Sequence, residues 1–341
     1  MTADKKYVAV KALTGYMTDL SNRKVTWEAN ALKKLSASPI SPHCVQLLDQ
    51  FIVTGSGSAG EHLCFVMPLY GGDVMSIFKA NKKKPFPLPL VKRILLHILR
   101  GIAHAHSRGV IHTDLKSDNF FFESTLTSGD VDRCVRDDPP RRHPGEMSED
   151  GIVSSAVSQP LPMISMDAAL SATYVLGDFG CAADATIYNG HTITSPALRP
   201  PEVFLKGGWT PEADIWTFGC IIFELIIGRT LFAHRADEER NLDETESMLY
   251  QMICYICRDF SPEFLELFPV SNEYFNPDGS LKKNPKPRDV PFELLFGQYK
   301  VISHADAVQT SNLMRRCLSL YPNVRDPAAE LLKDPWFKDV E

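Results

Sequence analysis

The stretch GVIHTDLKSDNFFF, residues 109–122, decides the fold of this chain of 341 residues. It places Asp114 two residues after His112 and Asn119 five residues after Asp114, with Lys116 between them. A long amphipathic pattern at 88–109 precedes it and ends at a glycine, which is a helix-stop signal. The sequence therefore predicts a polar loop between a long helix and an apolar strand.

Two other segments carry side chains suited to the same chemistry. Asp178 follows a strand pattern in YVLGDFGCA, and Lys11 lies on the strand pattern VAVK. Acid and amide oxygens on loops are ligands for Mg²⁺, which shares them with phosphates, and a lysine can meet phosphate oxygens as a point charge. Together with Asp114 and Asn119, these residues predict a site for a magnesium-bound phosphate compound.

Glu28 sharpens this prediction. In the helical pattern VTWEANALKKL, it shares one stripe with Leu32 and Leu35 by i, i+4, i+7 spacing. An acid on an apolar stripe is costly without a partner, so we predict an ion pair between Glu28 and Lys11. The alternative is that Glu28 lies at the edge of the stripe in solvent.

Composition limits the class of protein. Hydrophobic residues make up 44% and charged residues 23%, as in soluble globular proteins, and the formal net charge of −6 argues against direct nucleic-acid binding and suits a basic partner. No apolar run is long enough to span a membrane, and the first residues do not resemble a secretory signal. Eight scattered cysteines, with the CxxC pair Cys254 and Cys257 in a helical pattern, indicate free thiols in an intracellular compartment, cytoplasmic, nuclear or both.

The order of patterns predicts an α+β chain in two lobes. Strand patterns at YVAVKAL, VQLLDQFIV and HLCFVMPL alternate with one helix in residues 1–70, and a Gly/Ser turn, GSGSAG, predicts an antiparallel pair. Residues 71–338 are mainly helical. The segment 126–172 is rich in Pro, Ser and charge, which predicts a largely irregular insert, either a tolerated surface loop or a docking or regulatory segment.

These motifs, taken together, resemble those of a eukaryotic protein kinase, beginning at the third strand of its small lobe. The motifs are VAVK, Glu28, HTDLKSDN, DFG at 178–180, RPPE at 199–202, DIWTFG at 214–219 and VRDPAAELLKDPWF near the end. RPPE is similar to the CMGC group, and HTDLKSDN resembles the SR-protein kinases (SRPK), which characteristically read His-Thr-Asp. The resemblance implies the bilobal kinase fold, with a small, incomplete β-rich N-lobe and a large C-lobe.

The same resemblance implies a function. An ATP-dependent serine/threonine kinase would transfer the γ-phosphate of ATP, with Mg²⁺, to serine of a protein substrate, which the family suggests is rich in Arg and Ser. We expect a monomer that binds no membrane and no nucleic acid directly. Two alternatives remain: a pseudokinase or truncated scaffold with little turnover, and a small-molecule phosphotransferase.

Residue roles follow from the resemblance by position. Asp114 would be the catalytic base, and Lys116 would stabilise the transferring phosphoryl group. Asn119 and Asp178 would hold Mg²⁺. Lys11, positioned by Glu28, would hold the α and β phosphates. Adenine would meet five further residues: Ala9 as a cap, Phe121 below, Met67 as gatekeeper, Pro68 through its carbonyl and Tyr70 through its amide.

Structural roles in the large lobe also follow from the resemblance. Asp214 and Trp216 would lie on a buried helix that braces the catalytic loop. Glu202 would form an ion pair with Arg325.

The chain departs from the kinase pattern at Thr113, where most kinases carry an arginine that grips a phosphate on the activation loop. A threonine has no charge for this, which implies an active site assembled without that phosphorylation; the alternative is drift in a degenerate enzyme. Arg199 is the only arginine close in sequence to the hydroxyls of Thr186, Tyr188, Thr192, Thr194 and Ser195.

Two other departures concern the nucleotide and the substrate. Only ten residues, none of them glycine, precede Lys11, so the glycine-rich loop that covers ATP phosphates is absent from this sequence. The expectation is a truncated or mis-started product, or impaired ATP binding, and an exposed sheet edge at YVAVKAL. Pro196 follows Ser195 where an arginine is common in relatives, which bears on substrate preference.

An acidic run at 236–248 contains six acids and one arginine. It is either a solvated helix start or a docking surface for Arg-rich segments.

Overall fold

The computed structural model describes residues 7–55, 60–82, 84–148, 151–187, 190–338 and 340. The middle of the predicted Gly/Ser turn, 56–59, and Tyr188 lie outside these ranges. The described residues form a small lobe built on one antiparallel sheet and a larger, mainly helical lobe.

The small lobe contains three strands and two helices. They are β1 (Val8–Ala12), α1 (Gly15–Asn22), α2 (Glu28–Leu35), β2 (Asp49–Thr54) and β3 (Glu61–Pro68). The strand order is β1-β3-β2. The β2–β3 pair is antiparallel, as predicted, and β1 also pairs with β3 in the antiparallel direction. Sequence reasoning missed α1, which Thr14 caps by accepting a hydrogen bond from the backbone amide of Met17.

The small sheet has an open edge along β1. Within the described residues β1 pairs with β3 alone, which agrees with the expected exposed edge. Val10 on β1 is half exposed, and so are Phe51, Ile52 and Val53 on β2. Leu63 of β3 is buried, and its backbone amide donates to the hydroxyl of Thr18 on α1.

The large lobe is built around two long helices, α4 and α8. Its helices are α3 (Val74–Ala80), α4 (Leu88–Ser107), α5 (Ser128–Asp137), α6 (Met166–Ser171), α7 (Pro201–Phe204), α8 (Glu212–Ile227), α9 (Glu244–Ile256), α10 (Pro262–Leu265), α11 (Ser271–Tyr274), α12 (Phe292–Tyr299), α13 (His304–Cys317) and α14 (Ala328–Leu331). No described helix combines the length and apolarity needed to cross a membrane.

Short strands near the junction of the lobes carry the polar loops. They are β4 (Tyr70–Asp73), β5 (Val110–Ile111), β6 (Phe120–Glu123), β7 (Glu146–Ser148), β8 (Gly151–Val153), β9 (Tyr174–Leu176) and β10 (Ala183–Asp184). They form one three-stranded sheet, β4-β6-β9, and two pairs, β5-β10 and β7-β8. The loop of Asp114 therefore leaves β5 and enters β6, while the loop of Asp178 leaves β9 and enters β10.

Helices α4 and α8 pack against each other, and α4 packs against β5 and β9, from which these loops begin. Helix α4 ends at Ser107 and is followed by Gly109 in the left-handed region, at φ 68°, which turns the chain into β5. Helix α8 is apolar on nearly all sides and is buried along most of its length, as a central core helix must be. Its first turn carries Asp214, which is buried beneath the catalytic loop.

The segment 126–172 has more regular structure than the sequence predicted. Helix α5 begins with a capping box formed by Thr127 and Asp130, and Ser165 caps α6. Strands β7 and β8 pair between these helices. Arg93 of α4 donates to the carbonyls of Ser171 and Ala172, so the end of the segment is tied to the core.

The CxxC pair does not lie within one helix. Cys254 is buried on α9, whereas Cys257 follows the helix in the left-handed region and is exposed. Among the described residues, no group of three or more His, Cys, Asp or Glu side chains is arranged to hold a metal ion.

Candidate active site

Lys11 links the two lobes. Its Nζ lies 2.6 Å from Glu28 Oε1 on α2 and 2.9 Å from Asp178 Oδ1 in the loop after β9. The predicted ion pair is therefore present, and Glu28 is buried rather than in solvent. The register explains the placement, because β1 pairs with the central strand β3 with Lys11 opposite Phe65.

The pKa values of these groups reflect burial opposed by pairing. Burial disfavours the charge on Lys11, but Glu28 and Asp178 outweigh it and raise the pKa of the ammonium above its usual value. Burial likewise opposes the charge on Asp178, yet Lys11 holds its pKa below the ordinary range. The site therefore keeps one cation and a facing carboxylate charged, as binding of a magnesium-bound phosphate requires.

The loop between β5 and β6, predicted to be the catalytic loop, brings three polar side chains together. Lys116 Nζ lies 2.7 Å from Asp114 Oδ2. The amide nitrogen of Asn119 donates to the carbonyl of Asp114 at 2.8 Å and to its Oδ2 at 3.2 Å. Hydrogen bonding to Asp114 raises the pKa of Lys116. The spacing read from the sequence thus gives a compact acid, amine and amide cluster.

Asp214 fixes the backbone of this loop. Its two carboxylate oxygens accept from the backbone amides of His112 at 2.8 Å and Thr113 at 2.9 Å. His106 Nε2 lies 2.9 Å from the same carboxylate, which is fully buried. Burial opposes the charge of Asp214, but these partners hold its pKa below the ordinary value. The brace predicted for Asp214 is present.

Thr113 is itself a strained residue. Its φ is 65°, in the left-handed region that a β-branched side chain rarely occupies, and its side chain is buried. Its hydroxyl donates to the carbonyl of Cys181 at 2.8 Å, just after the DFG motif. Two bonds, one to Asp214 and one to Cys181, therefore offset the strain and hold the activation segment to the catalytic loop.

The DFG motif is packed inward. Phe179 is fully buried with its ring centroid 4.7 Å from that of His112. His112 Nε2 also bonds the carbonyl of Gly177 at 2.8 Å. Asp178, next to Phe179 in the chain, lies with its carboxylate 2.9 Å from Lys11 Nζ.

A cavity of about 300 Å³ lies between the lobes at this point. Six of the predicted residues line it: Lys11, Glu28, Met67, Asn119, Phe121 and Asp178. Ala9, Pro68 and Tyr70 are not among its lining residues, although Ala9 pairs with Met67 across the sheet and the Tyr70 ring stacks on Phe121 at 5.5 Å. The residues predicted to hold the nucleotide therefore lie in or beside this cavity, which we call the nucleotide cavity.

Asp114 faces a second cavity of about 590 Å³, which we call the catalytic cavity. Its walls include Lys24 before α2, Gly180, Ile187 and the 192–195 stretch. The nucleotide cavity contains Asp178 and the catalytic cavity contains Asp114. Lys116 is bonded to Asp114 but lines neither cavity.

Arg199 and the Glu202–Arg325 pair are structural. The Arg199 guanidinium donates to the backbone carbonyls of Ile193 at 3.1 Å and Thr194 at 3.0 Å. Arg325 forms a buried bidentate pair with Glu202 at 2.7 and 2.8 Å, as predicted, and stacks over the Trp216 ring. These contacts join the activation segment to the start of α8.

A family profile described as the protein kinase domain matches residues 1–133 and 163–337. The chain belongs to the protein kinase family. The unmatched residues of this kinase, 134–162, fall inside the segment that composition marked as an insert.

Individual relatives of this kinase agree with the resemblance to SR-protein kinases. It is 28% identical over 303 residues to "Probable serine/threonine-protein kinase clkA" of Dictyostelium discoideum, covering 88% of this chain and 29% of that protein. It is 27% identical over 340 residues to "Serine/threonine-protein kinase SRPK" of Physarum polycephalum, covering 92% and 76%. It is 25% identical over 304 residues to "Dual specificity protein kinase lkh1" of Schizosaccharomyces pombe, covering 86% of this chain and 38% of that protein.

Sequence reasoning missed several residues of the kinase site. Asp118 and Val45 line the nucleotide cavity, and Lys24 lines the catalytic cavity. Asp118 stands between two residues of the catalytic motif, which was a usable signal. The sequence contains no comparable signal for Lys24 or for the carbonyl of Cys181, because their contacts form only when loops distant in the chain come together.

Proposed function

We propose that the chain is an ATP-dependent serine/threonine protein kinase of the SR-protein-kinase type. The observation that carries this is the presence of two clusters at the junction of the lobes, Lys11–Glu28–Asp178, which spans both lobes, and Asp114–Lys116–Asn119 in the large lobe. Each cluster alone could be structural. Together they support phosphoryl transfer, which needs a cation for the phosphates near a base, because Lys11 and Asp114 line two neighbouring cavities.

The residues present fit a magnesium ion. Asn119 uses its amide nitrogen on Asp114, which leaves its side-chain oxygen available, and Asp178 lines the same cavity with its carboxylate charged. Both offer the hard oxygen ligands that Mg²⁺ prefers. Bound Mg²⁺ would neutralise phosphate charge during transfer. We therefore propose Asn119 and Asp178 as its ligands.

The remaining roles belong to the chain's own side chains. Lys11, held by Glu28, would bind the α and β phosphates of ATP. Asp114 would orient the substrate hydroxyl and accept its proton, and Lys116, 2.7 Å from Asp114, would stabilise negative charge on the transferring group.

The adenine roles are proposed for both walls of the cleft. Ala9 would cap the base, Phe121 would pack below it, and Met67 would be the gatekeeper. Pro68 would accept through its carbonyl and Tyr70 would donate through its amide; a proline keeps the carbonyl that this contact needs.

The proposed substrate is a serine-containing protein segment rich in arginine, as the family resemblance suggests. The acidic run at 236–248 supports this in part. Three of the six acids are paired with cations of the chain, Asp237 and Glu239 with Arg240 and Glu246 with Lys283, whereas Glu238 and Glu244 are exposed. We further propose a monomer that acts inside the cell.

The test is transfer of radiolabelled γ-phosphate from Mg·ATP to a Ser/Arg-rich peptide, followed by identification of the phosphorylated amino acid. Phosphoserine supports the proposal. Thermal stabilisation by Mg·ATP without any transfer would instead favour the scaffold alternative, and transfer to a small alcohol but not to peptide would favour a small-molecule phosphotransferase.

A further inference from the structure

A third cavity, of about 940 Å³, lies on the large lobe beside the activation segment. We call it the α10 cavity. It is larger than the nucleotide and catalytic cavities and contains none of the residues proposed for catalysis. Residues that decide its chemistry are Trp209, Glu212, Glu263, Phe264, Leu267 and Tyr321.

Its floor is a fixed aromatic cluster. The Phe264 ring lies 4.7 Å from the Phe268 ring and 4.7 Å from the Tyr321 ring, both edge-to-face. Gly207 permits this packing, because a Cβ there would overlap the Phe268 ring. Leu267, beside the cluster, is 73% exposed. An apolar surface that is both rigid and exposed is typical of a contact for another protein.

The polar groups of the α10 cavity are acidic. Three glutamates line it, and within the described part of the chain its lining contains no lysine or arginine. Glu202 is neutralised by Arg325, while Glu212 accepts from Thr210 and Glu263 is exposed without an ion pair among the described residues. The cavity therefore joins an apolar floor to two uncompensated negative charges.

The cavity beside the acidic run has a different character. This cavity has a volume of about 580 Å³. Its lining contains Arg235, Arg240 and Arg288 as well as three acids, so cations and anions are mixed. A cationic peptide would meet repulsion there that it would not meet in the α10 cavity.

Position connects the α10 cavity with catalysis. Ile187 of the activation segment lines both this cavity and the catalytic cavity that contains Asp114. A peptide that presents a residue to Asp114 could therefore continue over Ile187 into the α10 cavity.

We propose that the α10 cavity binds a segment of the protein substrate in which one bulky aliphatic residue is flanked by arginines. The aliphatic side chain packs on Phe264 and Leu267, and the arginines face Glu212 and Glu263. That the segment belongs to the substrate rests on the proposed kinase function; that the cavity binds such a segment does not.

The direct test is fluorescence anisotropy of the full chain with a labelled Arg-Arg-Leu-Arg-Arg peptide, which requires no turnover. Glu263→Lys should weaken binding tenfold or more. Glu266→Lys is the matched control, because Glu266 is an exposed acid three residues after Glu263 and lines a different cavity. It should change binding less than twofold.

A second comparison separates apolar recognition from general charge attraction. Leu267→Ser in the protein, or serine for leucine in the peptide, should each weaken binding several-fold. The inference is overturned if the two lysine variants weaken binding equally, if the serine peptide binds as well as the leucine peptide, or if no peptide binds. Phosphate transfer to a short Ser/Arg peptide, measured in parallel, reports on the proposed function separately.

Discussion

The hydroxyl of Thr113 donates a 2.8 Å hydrogen bond to the backbone carbonyl of Cys181, and this bond joins the catalytic loop to the activation segment. An uncharged contact stands here in place of the arginine–phosphate contact that the kinase resemblance would suggest. The loop and the segment are thus held together by groups that need no modification.

Replacing Thr113 by valine tests this bond. Valine keeps the shape and β-branching but removes the donor, so we expect the free energy of unfolding to fall by about 1 kcal/mol and kcat to fall with it. Urea denaturation and steady-state kinetics measure the two effects. Thr54→Val, at an exposed position of β2 that lines none of the cavities described above, is the control and should leave both nearly unchanged.

The same geometry predicts that activity does not depend on phosphorylation of the activation segment. Thr113 carries no charge, and the Arg199 guanidinium is occupied by the carbonyls of Ile193 and Thr194. We expect kcat to stay within twofold after phosphatase treatment, with mass spectrometry confirming loss of phosphate from residues 181–200.

A tenfold fall in kcat on dephosphorylation, about 1.4 kcal/mol in barrier, would contradict this account. Lys24, which lines the catalytic cavity together with Thr192 and Thr194, would then be the first candidate to bind the phosphate, and Lys24→Ala would remove the dependence.

His97 predicts a loss of stability in acid. It is buried, its ring stacks on His43 at 4.2 Å, and its Nδ1 accepts from the backbone amide of Tyr174 at 3.1 Å, which requires the neutral ring. Burial, with the nearby His43, Arg93 and Arg100, lowers its pKa to about 3. Histidine in the unfolded chain has a pKa of about 6.5, so between about pH 6.5 and 3 the unfolded chain binds a proton at this residue and the folded chain does not.

The contribution of neutral His97 to the free energy of unfolding is present in full well above about pH 6.5, and it decreases as the pH drops towards about 3. Between pH 7 and pH 5 we expect a loss of about 2 kcal/mol from His97. His97→Gln keeps an acceptor for the Tyr174 amide but does not titrate, so its unfolding free energy should fall less over the same interval. Equal losses in both proteins, measured by urea unfolding, would show that His97 does not titrate in this way.

The buried pair of Arg325 and Glu202 predicts a large and partly recoverable loss. Arg325→Met should lower the free energy of unfolding by about 3–5 kcal/mol, because it leaves the Glu202 carboxylate buried without a partner. Adding Glu202→Met should restore part of the stability, since both charges are then absent. If the double variant is less stable than the single one, the loss comes from packing rather than from the isolated charge.

Much of the site could be predicted from sequence because its chemistry is local. The spacing of Asp114, Lys116 and Asn119 lies within one loop, and Glu28 was recognised because an acid on an apolar stripe needs a partner. Helix α4 and the antiparallel pair β2–β3 were equally clear from periodicity and turn residues.

The features that sequence did not reveal depend on distant contacts or on weak local signals. Helix α1 has a low apolar content, and its cap at Thr14 is the only strong local signal. The helices in 126–172 were hidden by surrounding prolines and charges, although Thr127 and Asp130 form a capping box. The bond from Thr113 to Cys181 and the α10 cavity require the folded arrangement of segments far apart in the chain.

The central claim is that Asp114 acts in phosphoryl transfer to serine, and the most direct measurement is kcat for a Ser/Arg-rich peptide with Mg·ATP in wild type and Asp114→Asn. Asparagine keeps the size but cannot accept the proton, so kcat should fall by about a hundredfold or more, with Mg·ATP binding retained. Asp167→Asn, an exposed acid on α6, is the charge-matched control and should keep wild-type turnover. Equal kcat in wild type and Asp114→Asn would contradict the account.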